Sequence, residues 1–128
     1  MVDVAKWSIL VVEDEIDGQE VVSSLLSNFN ITSETAFTAE EALKLLNQKN
    51  YTGALIDLAL PGMDGLSLVK RIRENPATAK IPCVAITAFH SSQVRQQAIA
   101  AGFNGYFPKP LEEISFVREL QYLIGKTS

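Results

Sequence analysis

The chain has 128 residues, with eleven Lys and Arg against fifteen Asp and Glu for a formal charge of −4, and 47% of its residues are hydrophobic. That length suits one domain with one core, residues 1–128 with a core of about 7–124, and the apolar content excludes intrinsic disorder. The mildly acidic balance argues against direct nucleic-acid binding, and neither a membrane span of ~20 apolar residues nor a signal peptide is visible, so a cytoplasmic protein without a membrane partner is expected.

Apolar runs rich in Val and Ile alternate with longer stretches at helical spacing, so strand and helix take turns. Trp7 to Val12 predicts a first strand buried on both faces, with Trp7 a packing residue. A helix follows from about Ile16 to Asn28, with Val21, Val22, Leu25, Leu26 and Phe29 on its inward stripe. Ile31 to Phe37 suits an edge strand, and Thr38 with Glu41 forms a capping box opening a helix to about Asn47. Ala54 to Leu58 is the third strand. Pro61-Gly62-Met63-Asp64-Gly65 separates it from a helix over about Gly65 to Glu74, with Leu66, Val69 and Ile72 inward and Asn75-Pro76 as its stop. Ile81 to Ile86 is the fourth strand and holds the only cysteine, Cys83, read as a buried small hydrophobe. Ser91 or Ser92 caps a helix to Ala101, and Gly102 fits its left-handed C-cap. Tyr106-Phe107 marks a short fifth strand, and Glu112 to Ile124 is a closing amphipathic helix.

Each parallel return needs a crossover, so five strand and helix pairs imply an α/β, doubly wound parallel sheet. Ligands of such sheets bind beyond the carboxyl ends of the strands. There the sequence places Glu13-Asp14-Glu15 at the end of strand one, Asp57 at the end of strand three, Thr87 at the end of strand four and Lys109 after strand five. Carboxylates on one rim repel unless a cation offsets them, and Mg²⁺ suits a site with few carboxylates, a backbone carbonyl and waters. Taken alone, the acids could simply favour the positive end of the first helix. Asp57 is the candidate carboxylate nucleophile, with Lys109 and the Thr87 hydroxyl as binders of phosphoryl oxygens. His90, the sole histidine, follows Ala88-Phe89 and is read as a solvated loop residue.

With these motifs in order, the chain resembles response-regulator receiver domains of two-component signalling, the family of the chemotaxis regulator CheY. The resemblance rests on Val11-Val12-Glu13-Asp14-Glu15, the stretch from Asp57 to Gly65, Thr87-Ala88, and the stretch from Gly102 to Pro110. It implies a flavodoxin-like sheet of strand order 2-1-3-4-5 with five helices. It also implies phosphorylation of Asp57 by a sensor histidine kinase or histidine phosphotransfer protein. By the same resemblance Asp14, Asp57 and the Ala59 carbonyl bind Mg²⁺, Glu13 assists through water, Thr87 and Lys109 hold the phosphoryl group, and Thr87 with Tyr106 forms the switch. The output is then a protein contact through helix four, strand five and helix five, and the Lys109–Pro110 bond is expected to be cis. Glu13 stands where many members have Asp, and Phe89 where a polar residue is common.

Two rivals fit less well. A flavin carrier would need a hydroxyl-rich loop where Glu13-Asp14-Glu15 stands. A haloacid-dehalogenase-type phosphatase would need a second Asp where Ala59 stands. No DNA-binding or catalytic segment follows Ile124, so a receiver acting alone is expected, the alternative being a module of a longer regulator or hybrid kinase.

Overall fold

Ile9, Leu10, Val11 and Val12 are all fully buried, as only a strand covered on both faces allows. In the computed structural model, which describes residues 6–125, they lie in β1 (Ser8–Val12). After it come α1 (Ile16–Asn28), β2 (Thr32–Ala36), α2 (Ala39–Gln48), β3 (Gly53–Asp57) and α3 (Gly65–Glu74), then β4 (Cys83–Thr87), α4 (Ser92–Ala101), β5 (Gly105–Pro108) and α5 (Glu113–Gly125). Every strand pairing is parallel, and the order is β2-β1-β3-β4-β5. This is the doubly wound α/β sheet that the alternation of elements predicts.

Side-chain alternation along the strands divides the core in two. Leu10, Val12, Ala54, Ile56, Cys83 and Ala85 pack with residues of α2, α3 and α4, including Ala42, Leu68, Ile72 and Ala98. Ile9, Val11, Leu55, Val84 and Ile86 pack on the other face with Val22, Leu25 and Leu26 of α1 and Phe116, Val117 and Leu120 of α5. Trp7 belongs to this second layer, in its expected packing role.

Local chemistry sets the helix starts. Thr38 Oγ1 accepts from the Glu41 N–H at 3.0 Å, while Glu41 returns its carboxylate to the Phe37 N–H at 2.8 Å, one residue earlier than the usual box. Asp64 caps α3 through the Ser67 N–H at 2.8 Å, and Ser91, rather than Ser92, caps α4 through the Val94 N–H at 3.0 Å. Gly102 ends α4 with a φ of +126°.

Two inward assignments are corrected. Val21 is 60% exposed, because the stripe that meets the sheet runs through Gln19, Val22, Leu25 and Leu26. In α3 the fully buried leucine is Leu68, and Leu66 is only partly covered, since the helix turns Leu68, Val69 and Ile72 to the sheet. Strand limits move by one or two residues, most in β4, which starts at Cys83 after Pro82 rather than at Ile81.

Candidate functional site

The register pairs Val12 with Ile56, Asp57 with Ile86, and Thr87 with Pro108, so the ends of β1, β3, β4 and β5 share one rim of the sheet. Glu13, Asp57 and Thr87 are buried there, and Asp14 is half-buried. The Lys109 N–H donates to the Thr87 carbonyl at 2.8 Å, resuming the ladder that Pro108, lacking a donor, cannot continue. The following Lys109–Pro110 peptide is cis, as expected.

The Lys109 side chain then turns back over the rim. Its Nζ donates to Asp57 Oδ2 at 2.7 Å and to Glu13 Oε1 at 3.0 Å. Asp57 Oδ1 accepts the Ala59 N–H at 2.8 Å, so both of its oxygens are engaged. Burial alone would raise the Asp57 pKa, but hydrogen bonding with Glu13, Lys109 and the Ala59 N–H outweighs it and holds the carboxyl below its usual range. Glu13 goes the other way. Burial, and then its contact with Asp57, push it up to about 7 despite Lys109. For Lys109, burial opposes the charge, but the two carboxylates outweigh it and raise its pKa.

One ammonium thus serves two buried carboxylates, and Glu13 Oε2 is buried without a hydrogen-bond partner. Such a site is short of positive charge, and its donors are oxygens, which suits a hard cation such as Mg²⁺. Among the described residues no three His, Cys, Asp or Glu side chains form a metal-holding group. A cation that uses one or two carboxylates, a carbonyl and waters does not require one.

Thr87 Oγ1 accepts the Phe89 N–H at 3.0 Å, and the Phe89 ring stands out in solvent, 72% exposed. Tyr106 on β5 is half-buried against the α3 and α4 layer. Its hydroxyl meets Nδ1 of His90, so the exposed histidine has an aromatic partner that its sequence neighbours do not reveal.

Two residues of α1 join the site without having been singled out. Gln19 Nε2 donates to the Glu13 carbonyl at 2.6 Å, and Gly18 lies against the Glu13 carboxylate. The available signals were a glutamine three residues before Val22 on the inward stripe and a glycine inside a helical pattern, where it is usually costly.

A family model described as the response regulator receiver domain matches residues 9–121. An uncharacterized 14.6 kDa protein from the sodA1 3' region of Leptolyngbya boryana is 35% identical over 121 residues, 94% of this chain and 92% of that protein. The transcriptional regulatory protein ResD of Bacillus subtilis is 32% identical over 94% of this chain, which spans 49% of ResD. Among solved structures, the receiver domain of a sensor histidine kinase from Pseudomonas aeruginosa, with a magnesium ion in its active-site cleft, superposes with a TM-score of 0.86. It shares 29% identity over 93% of this chain and 98% of its own. Chemotaxis protein CheY4 of Vibrio cholerae gives a TM-score of 0.85 at 26% identity, over 91% of this chain and 98% of its own.

Proposed function

The chain belongs to the response regulator receiver domain family of two-component systems, and from that premise we propose that it is a phosphoacceptor charged on Asp57. The observation that carries the reading is the Lys109 ammonium, 2.7 Å from Asp57 Oδ2 and 3.0 Å from Glu13 Oε1 on the rim of the sheet. A carboxylate kept ionised in a buried site is a nucleophile, and a cation already beside it can receive the charge of an incoming phosphoryl group.

In this reading an Asp57 oxygen attacks the phosphorus of a phosphohistidine on a sensor histidine kinase or histidine phosphotransfer protein. The P–N bond breaks, an acyl phosphate forms, and the imidazole leaves with the electron pair. Lys109 Nζ and the Thr87 hydroxyl hold the phosphoryl oxygens. Asp14, Asp57 and the Ala59 carbonyl would hold Mg²⁺, with Glu13 acting through water, and the ion when bound offsets the repulsion between carboxylate and phosphate. Ala59 offers no side chain to activate water two residues after the nucleophile, so the acyl phosphate persists as a signal rather than turning over as in a phosphatase. The signal passes through Thr87 and Tyr106 to a downstream protein on the α4, β5 and α5 face. The protein acts in the cytoplasm, without direct contact to nucleic acid or membrane, as residues 1–128 forming one receiver domain.

Acetyl phosphate labelling followed by mass spectrometry tests the reading. One phosphoryl group is expected on wild type with Mg²⁺, and none on Asp57→Asn or after chelation. Equal labelling of wild type and variant would overturn it.

A further inference from the structure

Gly18 is the third residue of α1, where alanine would serve a helix better, and its φ is not among the positive values that call for glycine. A Cβ built there would stand 1.9 Å from Glu13 Oε1, 2.8 Å from Cδ and 3.1 Å from Cγ. The room left by the absent side chain is therefore occupied by the Glu13 carboxylate. The neighbouring Gln19 fixes the other end of the same residue, donating Nε2 to the Glu13 carbonyl at 2.6 Å. One turn of helix thus holds Glu13 by its backbone and accommodates it by its side chain.

We propose that Gly18 is a positioning residue: by leaving room in α1 for the Glu13 carboxylate, it sets Oε1 against Lys109 Nζ and so holds the ammonium beside Asp57. Glutamate is one methylene longer than aspartate, and that extra length needs the space at Gly18. The two residues are a matched pair: an aspartate at position 13 has no atom where Oε1 stands 1.9 Å from that Cβ, and keeps only the milder 3.1 Å approach at Cγ. The carboxylate is also not free to step aside at little cost. It is 1% exposed, and leaving its seat breaks the 3.0 Å bond to Lys109. The consequence for phosphoryl transfer rests on the function proposed above, whereas the seat itself does not.

Four proteins test the pairing: wild type, Gly18→Ala, Glu13→Asp and the double variant. Thermal unfolding and the NMR signals of the Lys109 side chain are followed without metal, and acetyl phosphate labelling is followed with Mg²⁺. In wild type, Gly18→Ala is expected to lower Tm, shift the Lys109 signals and slow labelling about tenfold, a loss typical of disturbed supporting contacts. In the Glu13→Asp background the same substitution is expected to cost much less Tm, because the 1.9 Å clash with Oε1 is gone and alanine favours the helix, and to slow labelling by less than about twofold. If Gly18→Ala changes Tm alike in both backgrounds, whichever way, the seat is wrong. Absence of labelling in all four proteins with that difference in Tm between the backgrounds intact would instead overturn the phosphoacceptor role and leave the seat standing.

Discussion

The Tyr106 hydroxyl lies 3.1 Å from His90 Nδ1, with ring centroids 5.6 Å apart and planes tilted by 38°. This contact joins β5 to the loop that follows Thr87 at the end of β4, so movement of Tyr106 must be felt at His90. In the proposed switch phosphorylation moves Tyr106 inward, and because it can shift such an equilibrium only through differential affinity for two states, the unphosphorylated protein is expected to sample the inward tyrosine as well. With Mg²⁺, beryllofluoride is expected to move NMR signals of Thr87, Tyr106, the His90 ring and α4, and to leave Asp57→Asn unchanged. A response confined to the residues beside Asp57 would refute the switch while sparing the phosphorylation site.

Stability of the metal-free protein should carry the signature of Glu13. Its folded pKa of about 7 lies above the ordinary 4.5, so the folded state holds the proton more tightly than the unfolded chain. That contribution is complete below pH 4.5 and is lost as pH rises through 7. Asp57 has the opposite sign, its contribution being present above 3.8 and lost as pH falls through its lowered pKa. Urea unfolding at pH 5 and pH 7.5 should therefore show wild type losing stability across that interval relative to Glu13→Gln. A pH-independent difference between the two proteins would contradict the assignment.

Mg²⁺ affinity should depend on Asp14 more than on Glu13. Glu13 is buried and bonded to Lys109, which suits a role through water, whereas Asp14 is half-buried on the same loop. Asp14→Ala is expected to weaken binding by about tenfold or more, the range for lost ligand-shell contacts, and Glu13→Ala by less. Metal titration followed by calorimetry or NMR ranks them, and the reverse order would exchange their roles.

Gly65 opens α3 directly against the end of β3. A Cβ there would stand 2.6 Å from the Asp57 carbonyl oxygen and 2.8 Å from Leu58 Cα, both backbone atoms that cannot rotate away. Gly65→Ala should destabilise by about 1–3 kcal/mol, as overpacking does, despite the better helix propensity of alanine. Denaturant unfolding at neutral pH checks this, and an unchanged or higher midpoint would show that α3 can move off the strand freely.

The order of elements and the caps at Thr38 and Gly102 were legible in the sequence, because hydrophobic period and capping chemistry act over a few residues. The inward faces were less so. Val21 and Val22 are equally apolar, and only the angle at which α1 lies on the sheet buries Val22 and exposes Val21. Arg73 was invisible as a site of interest, yet its guanidinium donates to the carbonyls of Gly102, Ala79 and Ile81 and to Asn104 Oδ1, tying α3 to the end of α4 and the start of β5. Its partners lie up to 31 residues away, beyond any local pattern.

By itself the sequence determined the alternation that requires a parallel sheet, and the four strand ends that carry Glu13, Asp57, Thr87 and Lys109. Tertiary structure alone decided the distances among them: an ammonium shared by two carboxylates, a glycine set against a glutamate five residues earlier, and a tyrosine against the only histidine. Strand register and helix placement bring those groups together through space. A buried charge takes its energy from whatever stands within a few ångströms of it, however far away along the chain that neighbour lies.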